Sequence, residues 1–193
     1  MKNLKISPFA LLLLGMLALA SCENKSTDSE EIAEEQNEEK FEDNKAEKDA
    51  EFAVAAADGG MLEVQLGKLA QSNGASDAVK MLGEMMANDH SKANDELKAL
   101  ASQKNISLPT GLSEDSQESY NDLAEKTGEE FDEAYTEFMV KDHEKDIDEF
   151  KKQAENGYDA DLKSWAAGKV PTLEQHLARA KQAEAAVDSL KNR

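Results

Sequence analysis

The chain has 193 residues, with 41 acidic against 22 basic side chains, a formal net charge of −19 and one cysteine. So negative a surface repels nucleic acid and anionic headgroups and argues against either as a direct partner. A lone cysteine leaves no internal disulfide framework to hold the fold.

The first 21 residues read as a secretory signal. Lys2 and Lys5 form a positive start, and Pro8 to Ala20 is an apolar run too short to span a bilayer. It ends in Leu19-Ala20-Ser21-Cys22, which looks like a bacterial lipobox, where cleavage leaves Cys22 as the acylated first residue. The expectation is a lipid anchor at Cys22 and a place in the cell envelope, on the outer membrane facing the periplasm, with the cell surface as an alternative. The plainer alternative is an ordinary cleaved signal peptide with an incidental Cys22. Loss of residues 1–21 removes two lysines and no acid, which takes the net charge from −19 to −21.

Residues 22–45 read as a disordered acidic tether. Between Glu23 and Asn44 there are ten acids, two lysines and almost no large apolar residue besides Ile32 and Phe41. Such a composition buries too little surface to offset the entropy of ordering.

From 46 to 190 the apolar pattern has a helical period almost throughout. A first long helix, about 46–72, lines up Phe52, Ala56, Gly59, Glu63, Leu66 and Ala70. "SNGAS" at 72–76 is a turn, with Ser76 placed to cap a second helix over about 76–104 that carries Met86, His90 and Leu97 on one stripe. Pro109 and Gly111 interrupt the chain, and Ser113 begins a short helical segment to about Lys126. A third long helix, about 128–156, lines up Tyr135, Met139, His143, Ile147 and Phe150; after "ENGYD" a fourth runs over about 159–190. Pro171 predicts a kink or a restart near 169–172.

The resulting expectation is an all-α, ferritin-like four-helix bundle with a long middle connection. Helices of about 28 residues are roughly 40 Å long. The 22 residues from Asn105 to Lys126 can span that length, since extended chain covers about 3.3 Å per residue. A crossover there makes the second and third helices parallel; a plain up-down bundle makes them antiparallel. The lengths leave both open.

Residues 85–98, "MMANDHSKANDELK", and 138–151, "FMVKDHEKDIDEFK", match at seven of fourteen positions with an offset of 53. The shared Asp-His pair is the informative part. His90 and His143 fall on apolar stripes, His176 lies at the edge of the fourth helix's stripe, and Glu63 lies at similar depth. One carboxylate and three imidazoles near mid-bundle are a reasonable ligand set for Zn, Fe, Mn or Cu. Asp89 and Asp142 sit about 100° round the helix from their histidines, placed to orient them from outside or to make surface ion pairs. The competing reading is two satisfied core histidines bonded to buried acids or to each other. Glutamates are absent three residues before the histidines, where Ala87, Val140 and Leu173 stand, which argues against a di-iron oxidation centre and for at most one ion. Nothing resembles a nucleophile constellation or a phosphate loop.

The segments "FAVAAADGGMLEVQLGKLAQ" (52–71), "MLGEMMANDHSKANDELKALA" (81–101), "FMVKDHEKDIDEFKKQA" (138–154) and "VPTLEQHLARA" (170–180) closely resemble the bacterial envelope family called domain of unknown function 4142. The resemblance covers about residues 48–187. It implies a ferritin-like, helical, exported protein, often a lipoprotein, of unestablished activity, with Glu63, His90, His143 and His176 at the family's motif positions. Three readings follow: a non-enzymatic, lipid-anchored bundle holding one transition metal; a metal-free structural or stress-related interaction protein; and a metal-dependent oxidase.

Overall fold

The computed structural model describes residues 28–42 and 44–191; the expected signal peptide, Cys22 and the start of the tether lie outside the described residues. Six helices follow in order: α1 (Ser29–Lys40), α2 (Asn44–Asn73), α3 (Asp77–Lys104), α4 (Glu114–Ala124), α5 (Gly128–Asn156) and α6 (Ala160–Lys191). The four long ones, α2, α3, α5 and α6, are the expected bundle, and the fold is all-α.

Helix α1 corrects the expectation of a disordered tether over its whole length. Asp28 caps it, its Oδ1 accepting from the Glu30 and Glu31 amides at 2.7 and 3.3 Å. Ala33 and Asn37 are buried on the inner face. Asn37 donates to the Ser107 carbonyl at 2.9 Å and accepts from the Ser107 amide at 2.7 Å, while Ser29 Oγ accepts from the Thr110 and Gly111 amides. The segment's apolar area is small, as its composition implies. What orders α1 is instead a set of short polar side chains that satisfy the otherwise unpaired backbone of the middle connection.

The two ends of the bundle decide its topology. At one end Asp132, early in α5, accepts from the Ala75 and Ser76 amides in the α2–α3 turn at 2.9 and 2.8 Å. At the other, Lys104 at the end of α3 pairs with Asp159 in the α5–α6 turn at 2.7 Å, and Asp49 at the start of α2 accepts from Gln153 and from the Tyr158 amide. The starts of α3 and α5 therefore share one end, their finishes share the other, and the two run parallel. Residues 105–127 thus cross the length of the bundle, the ferritin-like choice.

Sequence signals place the helix ends. Ser76 and Ser113 cap α3 and α4 as expected, each accepting a backbone amide three residues on. Asn105 ends α3 in the left-handed region, which Asn tolerates. Helices α2 and α3 touch backbone to backbone at Gly67 and Gly83, where a Cβ on either would lie about 2.5 Å from the other's carbonyl oxygen.

Helix α6 does not restart at Pro171; its helical run continues from Ala160 to Lys191. Ala166 and Leu173, on either side of the proline, dock in one apolar cluster with Ile147 and Phe150, which anchors the helix on both sides of Pro171. The carbonyl that loses its donor belongs to Ala167, an exposed residue, where water can replace the missing bond.

The core divides into two ends. One is built on Leu66, Val79, Met86, Phe131, Tyr135 and Met139; the other on Phe52, Leu97, Ile147, Phe150, Leu162 and Trp165. Between them, at mid-length, the interior turns polar.

Candidate functional site

Four helices each send one polar side chain into that middle layer: Glu63 from α2, His90 from α3, His143 from α5 and His176 from α6. Their residues are 0, 7, 0 and 2 % exposed, so the expected residues do meet in the interior. The offset of 53 between the two Asp-His segments is the spatial register of two parallel helices, which is why their histidines arrive at one depth.

The ring centroids of the three histidines lie 5.2 to 5.6 Å apart, and one nitrogen from each lies within 4.8 Å of the other two. His143 Nδ1 stands 3.0 Å from the Met139 carbonyl, which can only accept, so this nitrogen carries the proton and Nε2 the lone pair. Nε2 faces His176 Nδ1 at 3.3 Å. On the far side of His176, Nε2 faces Asp89 Oδ2 at 3.3 Å, again an acceptor. With both outer positions requiring donors, two neutral rings present facing lone pairs.

Glu63 sits beside this group. Its Oε2 is 2.6 Å from His90 Nδ1 and its Oε1 is 3.3 Å from His143 Nδ1, yet neither approach has hydrogen-bond alignment. Both oxygens of Glu63, together with His90 Nε2, are buried without a hydrogen-bond partner. Each orphaned group of this kind costs about 1–3 kcal/mol.

Burial drives the titration of every member. It lowers His90 to about 4, against the raising effect of Asp142 and Asp89. It lowers His143 to about 3, helped by the other two imidazoles. His176 is lowered by burial and by His90, though Asp89 pulls the other way. Glu63 is pushed well above the usual carboxylate range by burial and by the Asp142 charge. The three imidazoles are therefore neutral at pH 7, the form that offers lone pairs.

The expected four-residue set separates into two triplets that share His143. One is His90, His143 and His176; the other is Glu63, Asp142 and His143, one donor atom of each again within 4.8 Å of the others. Asp142, half-buried, thus stands beside Glu63 and His143, and desolvation raises it to about 6. Asp89 reaches the histidine of another helix, His176, and also pairs with Lys92 at 3.1 Å.

Two further polar groups lie near the layer, Asp146 and Tyr135. Asp146 is raised by burial and then by Glu63, Asp142 and Glu149. Its signal was in the repeat: the aligned position in α3 is Ala93, so α5 carries an extra carboxylate one turn beyond its Asp-His pair. Tyr135 is wholly buried with its hydroxyl unpartnered, and burial with the Glu63 charge raises it. Its place among apolar residues hid it.

A cleft of about 270 Å³ leads to the layer. Phe52, Phe150 and Trp165 form its apolar wall and Glu63, His90, His176 and Asp146 its polar end. Among the described residues no helix is long and apolar enough to cross a membrane.

Comparison with known proteins gives a family and nothing narrower. No curated protein and no solved structure matches the chain. The family described as Domain of unknown function (DUF4142) matches residues 34–183, more than half of the chain and all of α2 through α5, so the chain belongs to that family.

Proposed function

We propose that this is a lipid-anchored envelope protein whose bundle core holds one transition metal ion through His90, His143 and His176, with Glu63 beside them. The observation that carries the reading is the facing pair of imidazole nitrogens, 3.3 Å apart, that their outer partners leave without a proton to share. Two nitrogens bound at ~2.0–2.1 Å to a tetrahedral ion stand about 3.3–3.4 Å apart. Unpartnered His90 Nε2 adds a third nitrogen, and Glu63 Oε2, 2.6 Å from His90 Nδ1, adds a balancing negative charge beside the site. Asp89 behind His176 and the Met139 carbonyl behind His143 fix the tautomers in the manner of ligand-orienting partners. A mainly nitrogen set favours Zn, Cu, Fe or Ni over Mg or Ca.

The test is elemental analysis of the full chain purified without chelator or histidine tag, beside the His90→Ala/His143→Ala variant. About one Zn, Cu, Fe or Ni ion per chain in the wild type and none of these in the variant is expected for a three-imidazole site. Equal metal in both removes the reading and leaves a metal-free structural bundle. The anchor is tested separately, by incorporation of labelled fatty acid that Cys22→Ser abolishes.

A further inference from the structure

We propose that Glu63 and Asp142, with Asp146 next to them at the cleft, form a second cation site beside the imidazoles, one that takes a hard, oxygen-preferring divalent ion such as Mn2+ or Mg2+. Glu63 is 0 % exposed, and both of its oxygens lack a hydrogen-bond partner. One of them lies within 4.8 Å of donor atoms from Asp142 and His143. His143 spends its nearer nitrogen on the Met139 carbonyl, so the donors left to an ion on that side are oxygens. Asp146 follows Asp142 by one helical turn on the same face of α5 and lines the cleft, outside the close donor set, where it faces a bound ion's water shell.

The charge balance points the same way. No lysine or arginine among the described residues comes within ion-pair distance of any of these three carboxylates; Lys145 acts on Asp142 and Asp146 only from further off and pairs instead with Glu149. Three like charges in a partly dry layer repel unless protonated or bridged by a cation. Asp146, Glu63 and Glu149 line the cleft of about 270 Å³ that reaches the layer, which gives a hydrated ion a polar route in. Small hard ions keep several waters and use few protein carboxylates, as offered here, while the neighbouring imidazoles suit a softer ion.

The inference stands beside the imidazole reading, and its test separates the two. Full chain is stripped, saturated with Zn2+, then dialysed against Mn2+ at physiological ionic strength, and both metals are counted. The Asp142→Asn/Asp146→Asn variant is compared with Glu144→Gln/Asp148→Asn, which removes two exposed acids from the same helix. The wild type and the surface variant are expected to hold about one Mn2+ per chain with reduced water contact in its electron-paramagnetic spectrum. The site variant is expected to bind Mn2+ roughly tenfold or more weakly, with its Zn2+ count and helical circular dichroism unchanged. Equal Mn2+ in all three proteins, or none in the wild type, overturns the second site. Absence of Zn2+ overturns the imidazole reading alone.

Discussion

Glu63 Oε2 and His90 Nδ1 stand 2.6 Å apart in the interior, an acid and a base that burial drives toward their uncharged forms. Binding of a cation reverses that balance, because the ion favours the carboxylate and takes the imidazole lone pairs. Above about pH 4 His90 and His143, lowered to about 4 and about 3, have no extra proton to give, while Glu63, raised well above the usual carboxylate range, keeps its proton to higher pH than an ordinary carboxyl. Addition of Zn2+ across a series of pH values from about 5 upward is therefore expected to release protons into a weakly buffered indicator solution. Glu63→Gln is expected to cut the release by about one proton per chain. Release unchanged in the variant means that Glu63 stays protonated beside the ion.

Acidification pulls stability in opposite directions at two residues of the layer. Asp142 rises from 3.8 to about 6 on folding, so its contribution is fully present below 3.8 and is lost as pH climbs through about 6. Asp142→Asn removes that loss and is expected to gain on the wild type between about pH 4 and 6, levelling off at a difference on the order of 2 kcal/mol. His90 falls from 6.5 to about 4, so its contribution is present above 6.5 and lost as pH falls through about 4. His90→Gln is therefore expected to close on the wild type as pH drops. Urea midpoints at four pH values with chelator present measure both slopes, and parallel curves contradict the assignment.

Asp58 holds the crossover to the bundle. From α2 its carboxylate accepts from the Ser113 amide at 2.7 Å, the Ser113 hydroxyl at 2.8 Å and the Ser116 hydroxyl, all buried. Asp58→Ala leaves those donors without an acceptor and is expected to lose roughly 2–4 kcal/mol. Hydrogen exchange in α4 is expected to quicken more than in α3 or α5, because the loss is local to the connection. Equal quickening in all three helices points to global destabilisation.

The long helices and the depth of the histidines were legible because both follow from spacing along one helix. Phe52, Leu66, Met86, Tyr135, Met139 and Leu162 announce buried stripes, and helices of similar length put residues equally far from a turn at one level. Parallel or antiparallel packing of α3 and α5 was not legible, since it rests on Asp132 reaching the α2–α3 turn and Asp49 reaching the α5–α6 turn. In a chain with 41 acids nothing marks those two as buried. Helix α1 was misread for the same reason: Ser29 and Asn37 stabilise it by bonding to backbone 70 residues away or more, a partner that local composition does not record. Asp142 stays half-exposed, as the helical wheel implies, and its nearness to Glu63 of α2 is a relation between helices that spacing within α5 does not record.

Two glycines of the bundle test how closely α2 and α3 are held. A methyl group at Gly83 would meet the Gly67 carbonyl oxygen and the Ala70 Cβ, both at 2.6 Å, and backbone cannot yield as a side chain can. Gly83→Ala is expected to lose about 1–3 kcal/mol through overpacking. At Gly59 the same methyl meets nothing within 4 Å, since it enters the cleft above the polar layer. Gly59→Ala should stabilise the helix by about 0.5–1 kcal/mol through reduced backbone entropy in the unfolded chain. Urea denaturation of the pair reads both signs at once. Loss at both positions would mean that the cleft closes over Gly59 in solution; gain at both would mean that α2 and α3 stand further apart than the Gly67–Gly83 contact places them.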